Sequence, residues 1–453
     1  MYRHYSWEHS YFSGKTRSYL RYKERMGGLA EGYEDILATP AIINGLLLPA
    51  TGSPTVPQIQ LPDGRWVQDT SDIIDAVEAE HPEPAVVPPT TSPRQRLVAY
   101  LVELLADEWM LVWAFCERWH HSLAGVEPNH LDQNALQWGS VMAPEAEGSE
   151  RLAVGHAFFD RAFQINDPMP TRGTYAGLRD LGVNPDTHVA WKTSFDRILG
   201  HLEAHFGKHD FLLGGRPSLG DFGLMGPLYA HIFRDAVSGF ELRTRFPIVA
   251  DWVERTNGVN ALNARTYDQT LYALDDTGEL VGRPACSDAA GWLANDEVAP
   301  TLMPLLAVFF EEMWPVLDST LERLRVFLSS EAGARGAELP GRSFTVSPGS
   351  ETHQQGDGAL THAFQIGGVE SRRMVLPYQV WMLQRIEAAM APCVDSGRRR
   401  DVLEELLAPF PGGTDLLRLG KGLEGARVRK DLGRLYGARE TAPETGGSGS
   451  RIS

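Results

Sequence analysis

The sequence has few cysteines, no long apolar run and no excess of basic residues. Its three cysteines, Cys116, Cys286 and Cys393, are widely spaced and form no CxxC pair. This spacing indicates neither a disulfide framework nor a zinc site, and it is consistent with a reducing cytoplasm. No apolar run approaches the length of a membrane-spanning helix, and the first residues lack the layout of a signal peptide. We therefore expect a cytoplasmic protein without a membrane partner.

The charge balance argues against nucleic acid as the main partner. The chain has 42 Lys and Arg against 59 Asp and Glu, a formal net charge of −17. Such a chain has no surplus of cations with which to neutralise phosphates. The Arg-rich stretch from Arg398 to Arg439 is interspersed with acidic residues, so we interpret it as a solvated helical face.

With 453 residues, the chain is long enough for two or three domains. Up to about residue 90 it mixes strand-like runs with helices, and residues 54–68 read as a hairpin that turns at Pro62-Asp63-Gly64. The proline-rich stretch 82–93 reads as a linker. We predict domains over 1–88, 93–280 and 285–440, followed by a disordered tail over 441–453.

Helical periodicity dominates after the linker. Residues 94–119 predict one long helix or a pair, and Ser218 and Asp221 have the spacing of a capping box ahead of an apolar run. In the segment 285–440 we expect helices with apolar faces and one hairpin, which turns at Gly367-Gly368.

The stretch HSYFSGKTR at positions 9–17 sets two serines, Ser10 and Ser13, between a strand-like run and a helix. We interpret residues 2–7 as a candidate edge strand and expect the helix to stop at Gly27-Gly28. Free N–H groups and the helix dipole favour an anion at such a helix start. On these nine residues alone, an ordinary serine N-cap is the favoured interpretation, because such caps are common.

Three features of the first 80 residues are informative through their order and spacing. They are the serine turn, the Val56-Pro57 dipeptide that begins a hairpin strand, and the Asp69-Thr70 pair that opens the next helix. With SLGDFGLMGPL and FPIVADWVERTN downstream, residues 1–265 resemble the glutathione S-transferase family. The resemblance implies an α/β thioredoxin-like N-terminal domain, an all-α glutathione-transferase C-terminal domain and, in this chain, a mainly helical extension.

The resemblance also assigns a catalytic residue. In Ser-type members the first position of the turn, here Ser10, donates a hydrogen bond to the glutathione sulfur and stabilises the thiolate, which is the nucleophile. Ser13 then caps the helix. Tyr5, Tyr11 and Ser13 stay open as alternative thiol-activating hydroxyls. A serine cannot form a mixed disulfide, so disulfide reductase chemistry is disfavoured.

The remaining glutathione contacts follow from the same resemblance. Pro57 matches the family's cis-proline, which turns the Val56 backbone toward the cysteinyl part of glutathione. Asp69 matches the residue that receives the γ-glutamyl ammonium, and Thr70 the one that receives its carboxylate. Gln68 is an additional donor. These positions also have plain alternatives, a trans turn proline and a helix cap.

The electrophile pocket is expected between the two domains, with Tyr11, Trp109 and Trp113 as its candidate lining residues. The spacing of the tryptophans suits core packing as well. The implied function is a glutathione transferase acting on a small electrophile, such as a halogenated compound or an aryl ether. Glutathione is the cosubstrate, no metal is expected, and a homodimer is one option for the assembly. The alternative is a non-catalytic glutathione-fold protein whose extension binds a partner.

Overall fold

The computed structural model describes residues 1–163, 178, 180–258, 271–283, 291–330, 338–339, 361–431 and 434–438. The N-terminal part is a four-stranded sheet in the order β2-β1-β3-β4, with β2 parallel to β1 and the other neighbours antiparallel. Its strands are β1 Tyr2–Ser6, β2 Tyr33–Leu37, β3 Gln58–Gln60 and β4 Trp66–Gln68. Its helices are α1 Tyr11–Arg25, α2 (Pro40–Ile42, a π turn Ile43–Leu47 and Leu48–Thr51) and α3 Thr70–Glu80. This is the predicted thioredoxin-like fold.

The prediction of an edge strand over residues 2–7 is wrong, because β1 lies between β2 and β3. Its polar side chains suggested exposure, yet they are buried with partners. His4 contacts the Asp35 carboxylate at 2.9 Å and the Thr16 hydroxyl at 2.7 Å. Buried polar groups are tolerated when they are hydrogen-bonded in this way. The predicted hairpin over 54–68 is confirmed, with a positive φ of 91° at Gly64 in its turn.

The middle of the chain is helical. Its helices are α4 Pro93–Leu105, α5 Leu111–His120, α6 Leu131–Met142, α7 Gly148–Phe163, α8 His188–Phe206, α9 Leu219–Met225, α10 Ala236–Arg245 and α11 Pro247–Asn257. A π-helical turn, Ala106–Met110, joins α4 to α5, so residues 94–119 do form one nearly continuous helix. The predicted capping box of Ser218 and Asp221 is present at the start of α9, which continues into the π-helical segment Gly226–Phe233.

The extension is also mainly helical. Its helices are α12 Met303–Val308, α13 Trp314–Ser329, α14 Pro377–Val394, α15 Gly397–Leu407 and α16 Leu419–Gly422, with 3₁₀ turns at Ala294–Asp296, Pro300–Leu302 and Gly413–Arg418 and a π turn at Phe309–Met313. The predicted hairpin is confirmed as β8 Thr361–Ile366 and β9 Val369–Met374, and Gly367 and Gly368 both have positive φ.

Two sets of strands are absent from the sequence prediction. A hairpin of β5 Leu271–Leu274 and β6 Leu280–Arg283 lies at the end of the segment expected to be all-helical. A small sheet combines β10 Val428–Asp431, β11 Arg434–Gly437 and β7 Glu338–Leu339. The Arg-rich stretch is therefore helical only in its first part, and the helical face predicted for all of it is wrong. The tail predicted to be disordered, 441–453, lies outside the described residues.

One hydrophobic core runs through all three parts of the chain. It includes Leu20 of α1, Leu101 of α4 and Leu383 of α14. Polar contacts follow the same route, because Arg96 of α4 donates to the Ala389 carbonyl at 2.9 Å and Arg94 to the Val402 carbonyl at 3.2 Å. The extension therefore packs on the helical domain.

The capping box generates a first prediction. The buried Asp221 carboxylate accepts hydrogen bonds from the Leu212 and Ser218 N–H groups, the Ser218 hydroxyl and the Trp252 indole. Asp221→Ala leaves four buried donors without an acceptor, so we expect it to lower the free energy of unfolding by about 2–4 kcal/mol. Chemical denaturation measures this, with Asp318→Ala at an exposed position of α13 as the control.

The difference in the free energy of unfolding between wild type and Asp221→Ala should depend on pH. Burial raises the pKa of Asp221 to about 6 despite the opposing hydrogen bonds. Between the unfolded pKa of about 4 and the folded value, the native state holds the extra proton, so its stability increases as the pH falls. The stability gap between wild type and Asp221→Ala should widen from pH 7 to pH 4.5. A stability difference that narrows as the pH falls would contradict a raised pKa of Asp221 in the folded state.

The shared core generates a second prediction. Removing all residues after 280 would expose apolar side chains of α4 that α14 now covers, and each such side chain contributes about 1.5–3 kcal/mol when buried. We expect the 1–280 fragment to aggregate, whereas a 1–440 chain, which loses only the tail, stays soluble. Size-exclusion chromatography distinguishes them. A monodisperse, active 1–280 fragment would show that the extension is an independent module.

Candidate functional site

Strand register brings the predicted site residues to one edge of the N-terminal sheet. Tyr5, near the end of β1, pairs with Gln58 at the start of β3, and Gln58 pairs in turn with Gln68 at the end of β4. The segments that leave this edge are the serine turn, the Val56-Pro57 dipeptide and the Asp69-Thr70 pair. Both α1 and α3 start here, so the positive ends of two helix dipoles lie at the same place.

Ser10 is the N-cap of α1. Its Oγ accepts the N–H of Ser13 at 3.3 Å, and within the described residues its own proton has no acceptor. A capping hydroxyl used in this way keeps its proton for a ligand. The prediction that Ser13 caps the helix is wrong, because Ser13 lies in the first turn. It is fully buried and its Oγ accepts the N–H of Trp7 at 3.3 Å, so it does not present a hydroxyl to a ligand.

The two tyrosine alternatives are held in hydrophobic surroundings. Tyr11 is buried, and its hydroxyl donates its single proton to the Ala106 carbonyl at 2.6 Å. That bond rules against Tyr11 as the thiol donor and as a pocket residue. The ring of Tyr5 packs 5.2 Å from that of Trp66, and burial raises its pKa. Neither tyrosine resembles an exposed, proton-donating hydroxyl at the helix start.

The Val56–Pro57 peptide bond is cis. The loop before it is held by Gln58, whose amide donates to the carbonyls of Ser53 at 2.8 Å and Thr55 at 2.9 Å. Gln68 donates to the Thr55 hydroxyl at 3.1 Å, and its buried Oε1 has no hydrogen-bond partner among the described residues. The loop therefore sits firmly at the sheet edge, and Gln68 offers a free acceptor there rather than the donor that the sequence suggested.

Asp69 has an unusual backbone. Its φ of 94° lies in a region that residues with a side chain rarely adopt, and its carboxylate caps α3 by accepting the Ser71 N–H at 3.0 Å. Strained positions of this kind cluster at functional sites. Thr70 follows as the first residue of α3 and is buried. Asp69 is thus a helix cap, as the alternative interpretation predicted. Capping α3 does not prevent Asp69 and Thr70 from binding a ligand as well.

Residues of the extension contact Asp69, which the sequence did not indicate. The hydroxyl of Tyr378, at the start of α14, lies 2.7 and 2.9 Å from the two carboxylate oxygens of Asp69. The Lys430 ammonium, from β10, lies 3.5 Å from Asp69 and 2.6 Å from Asp72. Contacts between residues more than 300 positions apart leave no local pattern in one sequence.

A cluster of buried charges lies beneath the site. Lys15 of α1 contacts Glu103 at 2.7 Å and Asp107 at 2.6 Å, and Glu103 also pairs with Arg385 of α14. Burial opposes the charge of Lys15, but the two carboxylates outweigh it and raise its pKa. Burial likewise opposes the charge of Glu103, and Arg385 and Lys15 lower its pKa. Lys15, Glu103 and Arg385 are therefore all charged. Their ion pairs fix α1, α4 and α14 against one another.

The tryptophans belong to the core and not to an open pocket. Trp109 is buried, packs 4.7 Å from Trp191 and donates to Glu312 at 3.1 Å. Trp113 lines a cavity of about 20 Å³, which has room for a water molecule but not for an organic electrophile. The core-packing alternative therefore describes both residues in this structure, and their place in the electrophile pocket stays a prediction.

The described residues show neither a metal-ligand cluster nor a membrane-spanning helix. Within the described ranges, no three His, Cys, Asp or Glu side chains are grouped as they would be to hold a metal ion. None of the helices in those ranges combines the length and apolarity needed to cross a membrane.

A protein-family model matches part of the chain. Residues 171–255 match the family described as glutathione S-transferase, C-terminal domain. No curated protein matches the chain. Similar solved structures include the beta-etherase LigF from a Sphingobium species, at 16% identity and a TM-score of 0.37, covering 58% of this chain and 98% of that one.

Two further structures cover a similar share of the chain. A glutathione S-transferase from Methylobacterium radiotolerans, in complex with glutathione sulfonate, has 21% identity and a TM-score of 0.31, covering 57% of this chain and 91% of that one. A glutathione transferase homologue from Sulfitobacter, with bound glutathione, has 14% identity and a TM-score of 0.32, covering 58% and 94%. The chain thus combines a thioredoxin-like N-terminal domain with a segment, residues 171–255, that matches the glutathione S-transferase C-terminal domain.

Proposed function

We propose that the protein is a Ser-type glutathione transferase, in which Ser10 activates the glutathione thiol for attack on a small electrophile. The observation that carries the proposal is the geometry of Ser10. Its Oγ is fixed by the Ser13 N–H, and its proton is left to donate to a sulfur at the start of α1. A hydrogen bond and a helix N-terminus both favour the thiolate over the thiol.

The reaction follows from the thiolate. Its sulfur forms a bond to the electrophilic carbon, while the bond from that carbon to a halide or an aryl-ether oxygen breaks. The leaving group departs with the electron pair, and the thiol proton has already gone to solvent. In an addition reaction no group leaves, and the carbanion formed takes up a proton.

The two cysteines within the described residues favour this chemistry over thiol–disulfide exchange. Cys116 and Cys393 are buried, and burial raises the pKa of both thiols. A buried thiol of high pKa is a poor nucleophile. Because the turn position is Ser10, a mixed disulfide with glutathione has no partner there.

Glutathione binding draws on the rest of the sheet edge. The backbone of Val56, ahead of the cis Pro57, presents its N–H and C=O to the cysteinyl unit, and Thr70 with the start of α3 receives the γ-glutamyl carboxylate. Asp69 receives the ammonium. The two charges of the ligand thus match groups that lie at one end of the site.

The third prediction concerns Ser10. Ser10→Ala should lower turnover roughly ten- to a thousandfold, the range seen when one donor to a developing or fixed negative charge is removed. The pKa of bound glutathione, followed by thiolate absorbance, should rise, whereas glutathione affinity changes little. Tyr11→Phe is the matched control, because its hydroxyl bonds the Ala106 carbonyl. Loss of activity in Tyr11→Phe but not in Ser10→Ala would overturn the assignment.

The fourth prediction concerns the ligand's charged end. Asp69→Ala and Thr70→Ala should raise the Michaelis constant for glutathione more than they lower turnover, because they bind a part of glutathione that does not change in the reaction. Asp63→Ala, in the exposed hairpin turn, is the control. A turnover defect with unchanged glutathione affinity would contradict the placement.

Two measurements on the wild-type protein distinguish the transferase from the non-catalytic alternative. Retention on immobilised glutathione together with turnover of a generic electrophile supports the transferase. Retention without turnover of any halide or aryl ether supports a binding protein whose extension serves an interaction.

A further inference from the structure

The extension covers one end of the proposed glutathione site. Tyr378 and Lys430 approach Asp69 from α14 and β10, and Lys430 also reaches Asp72 in the first turn of α3. The side chains of Asp69 and Lys430 keep only 14% and 10% of their surface exposed. This end of the site is therefore built by residues from both ends of the chain.

Lys430 is held in place by its surroundings. Its ammonium lies 3.5 Å from the centre of the Trp381 ring and 2.6 Å from an Asp72 oxygen. The nitrogen is buried and carries three N–H donors, of which the Asp72 carboxylate engages one. An ammonium in this position has a fixed location and retains protons that it can direct to an acceptor.

The charges around Lys430 match a zwitterion. The γ-glutamyl end of glutathione carries one ammonium and one carboxylate on the same carbon. Asp69 and Asp72 offer two negative charges, and Lys430 offers the positive charge between them. A ligand with both charges satisfies this arrangement better than a simple anion or cation, because each of its groups finds the opposite sign.

We propose that Lys430 binds the γ-glutamyl carboxylate of glutathione, and that Tyr378 positions Asp69 for the neighbouring ammonium. The inference rests on the proposed function and adds the extension to the glutathione site. Tyr378 acts through Asp69, because its hydroxyl donates to that carboxylate. The extension is then part of the binding site in the same chain, and not a separate module.

Two glutathione analogues test the two roles. In 4-aminobutyryl-cysteinylglycine the α-carboxylate is missing, and in glutaryl-cysteinylglycine the α-ammonium is missing. Dissociation constants of glutathione and both analogues are measured by calorimetry for wild type, Lys430→Met and Tyr378→Phe. Arg429→Met is the matched control, because Arg429 neighbours Lys430 in β10, is exposed and pairs with Asp431.

Each variant should give its own pattern. Lys430→Met should weaken glutathione and the glutaryl analogue roughly ten- to a hundredfold, the effect of losing a hydrogen bond to a charged group. It should leave the 4-aminobutyryl analogue unchanged. Tyr378→Phe should weaken glutathione and the 4-aminobutyryl analogue but spare the glutaryl analogue. Arg429→Met should change none of the three.

The outcomes separate this inference from the proposed function. If wild type binds neither glutathione nor the analogues, the proposed function fails, and this inference with it. If wild type binds and Lys430→Met weakens all three ligands equally or none, only the inference is overturned. Tighter glutathione binding by Lys430→Met would show that Lys430 competes for Asp69, which also overturns it. Lys430→Arg, which keeps the charge, should retain most of the affinity, and thermal unfolding checks that every variant folds.

Discussion

A single buried carboxylate, that of Glu103, links the three parts of the chain. It accepts from Lys15 of the thioredoxin-like domain at 2.7 Å and from the Ser71 hydroxyl at 3.0 Å, and it pairs with Arg385 of the extension. A buried charge is costly unless cations and hydrogen bonds surround it. Here each contributing group comes from a different helix, so the carboxylate is tolerated only when all of those helices are in place.

This arrangement explains why the site stays in register. Ser71, which bonds Glu103, follows directly after Asp69 and Thr70, and Lys15 lies one turn into the helix that Ser10 caps. Arg385 also holds Asp75 through two hydrogen bonds of 2.6 and 2.7 Å, farther along α3. The buried cluster thus sets the distance between the starts of α1 and α3.

The sequence was informative where structure is local. The cis Pro57, the capping box of Ser218 and Asp221, and the hairpins at Gly64 and Gly367 are each encoded within a few residues, and each is present. The sequence was less informative where tertiary contacts decide the outcome. Polar side chains suggested an exposed β1, and the spacing of Trp109 and Trp113 is the same for a pocket wall as for a core.

The contacts made by the extension could not be predicted from local sequence patterns. Tyr378 and Asp69 are 309 positions apart, and nothing near either residue indicates the other. The strands β10 and β11 are short and lie in an Arg-rich segment, so their pattern resembles a solvated helix. One sequence specifies such pairings only through the complete fold.

The contact between Lys430 and Asp69 also has a consequence for biosynthesis. The thioredoxin-like domain leaves the ribosome first, and N-terminal domains usually fold as they emerge. The end of its sheet that carries Asp69 nevertheless waits for β10, which is translated only after the whole helical domain. A nascent chain halted before residue 428 lacks Lys430, so no ammonium from β10 lies beside its Asp69 carboxylate. The surface around Asp69 is thus completed only after the extension has been made and has docked.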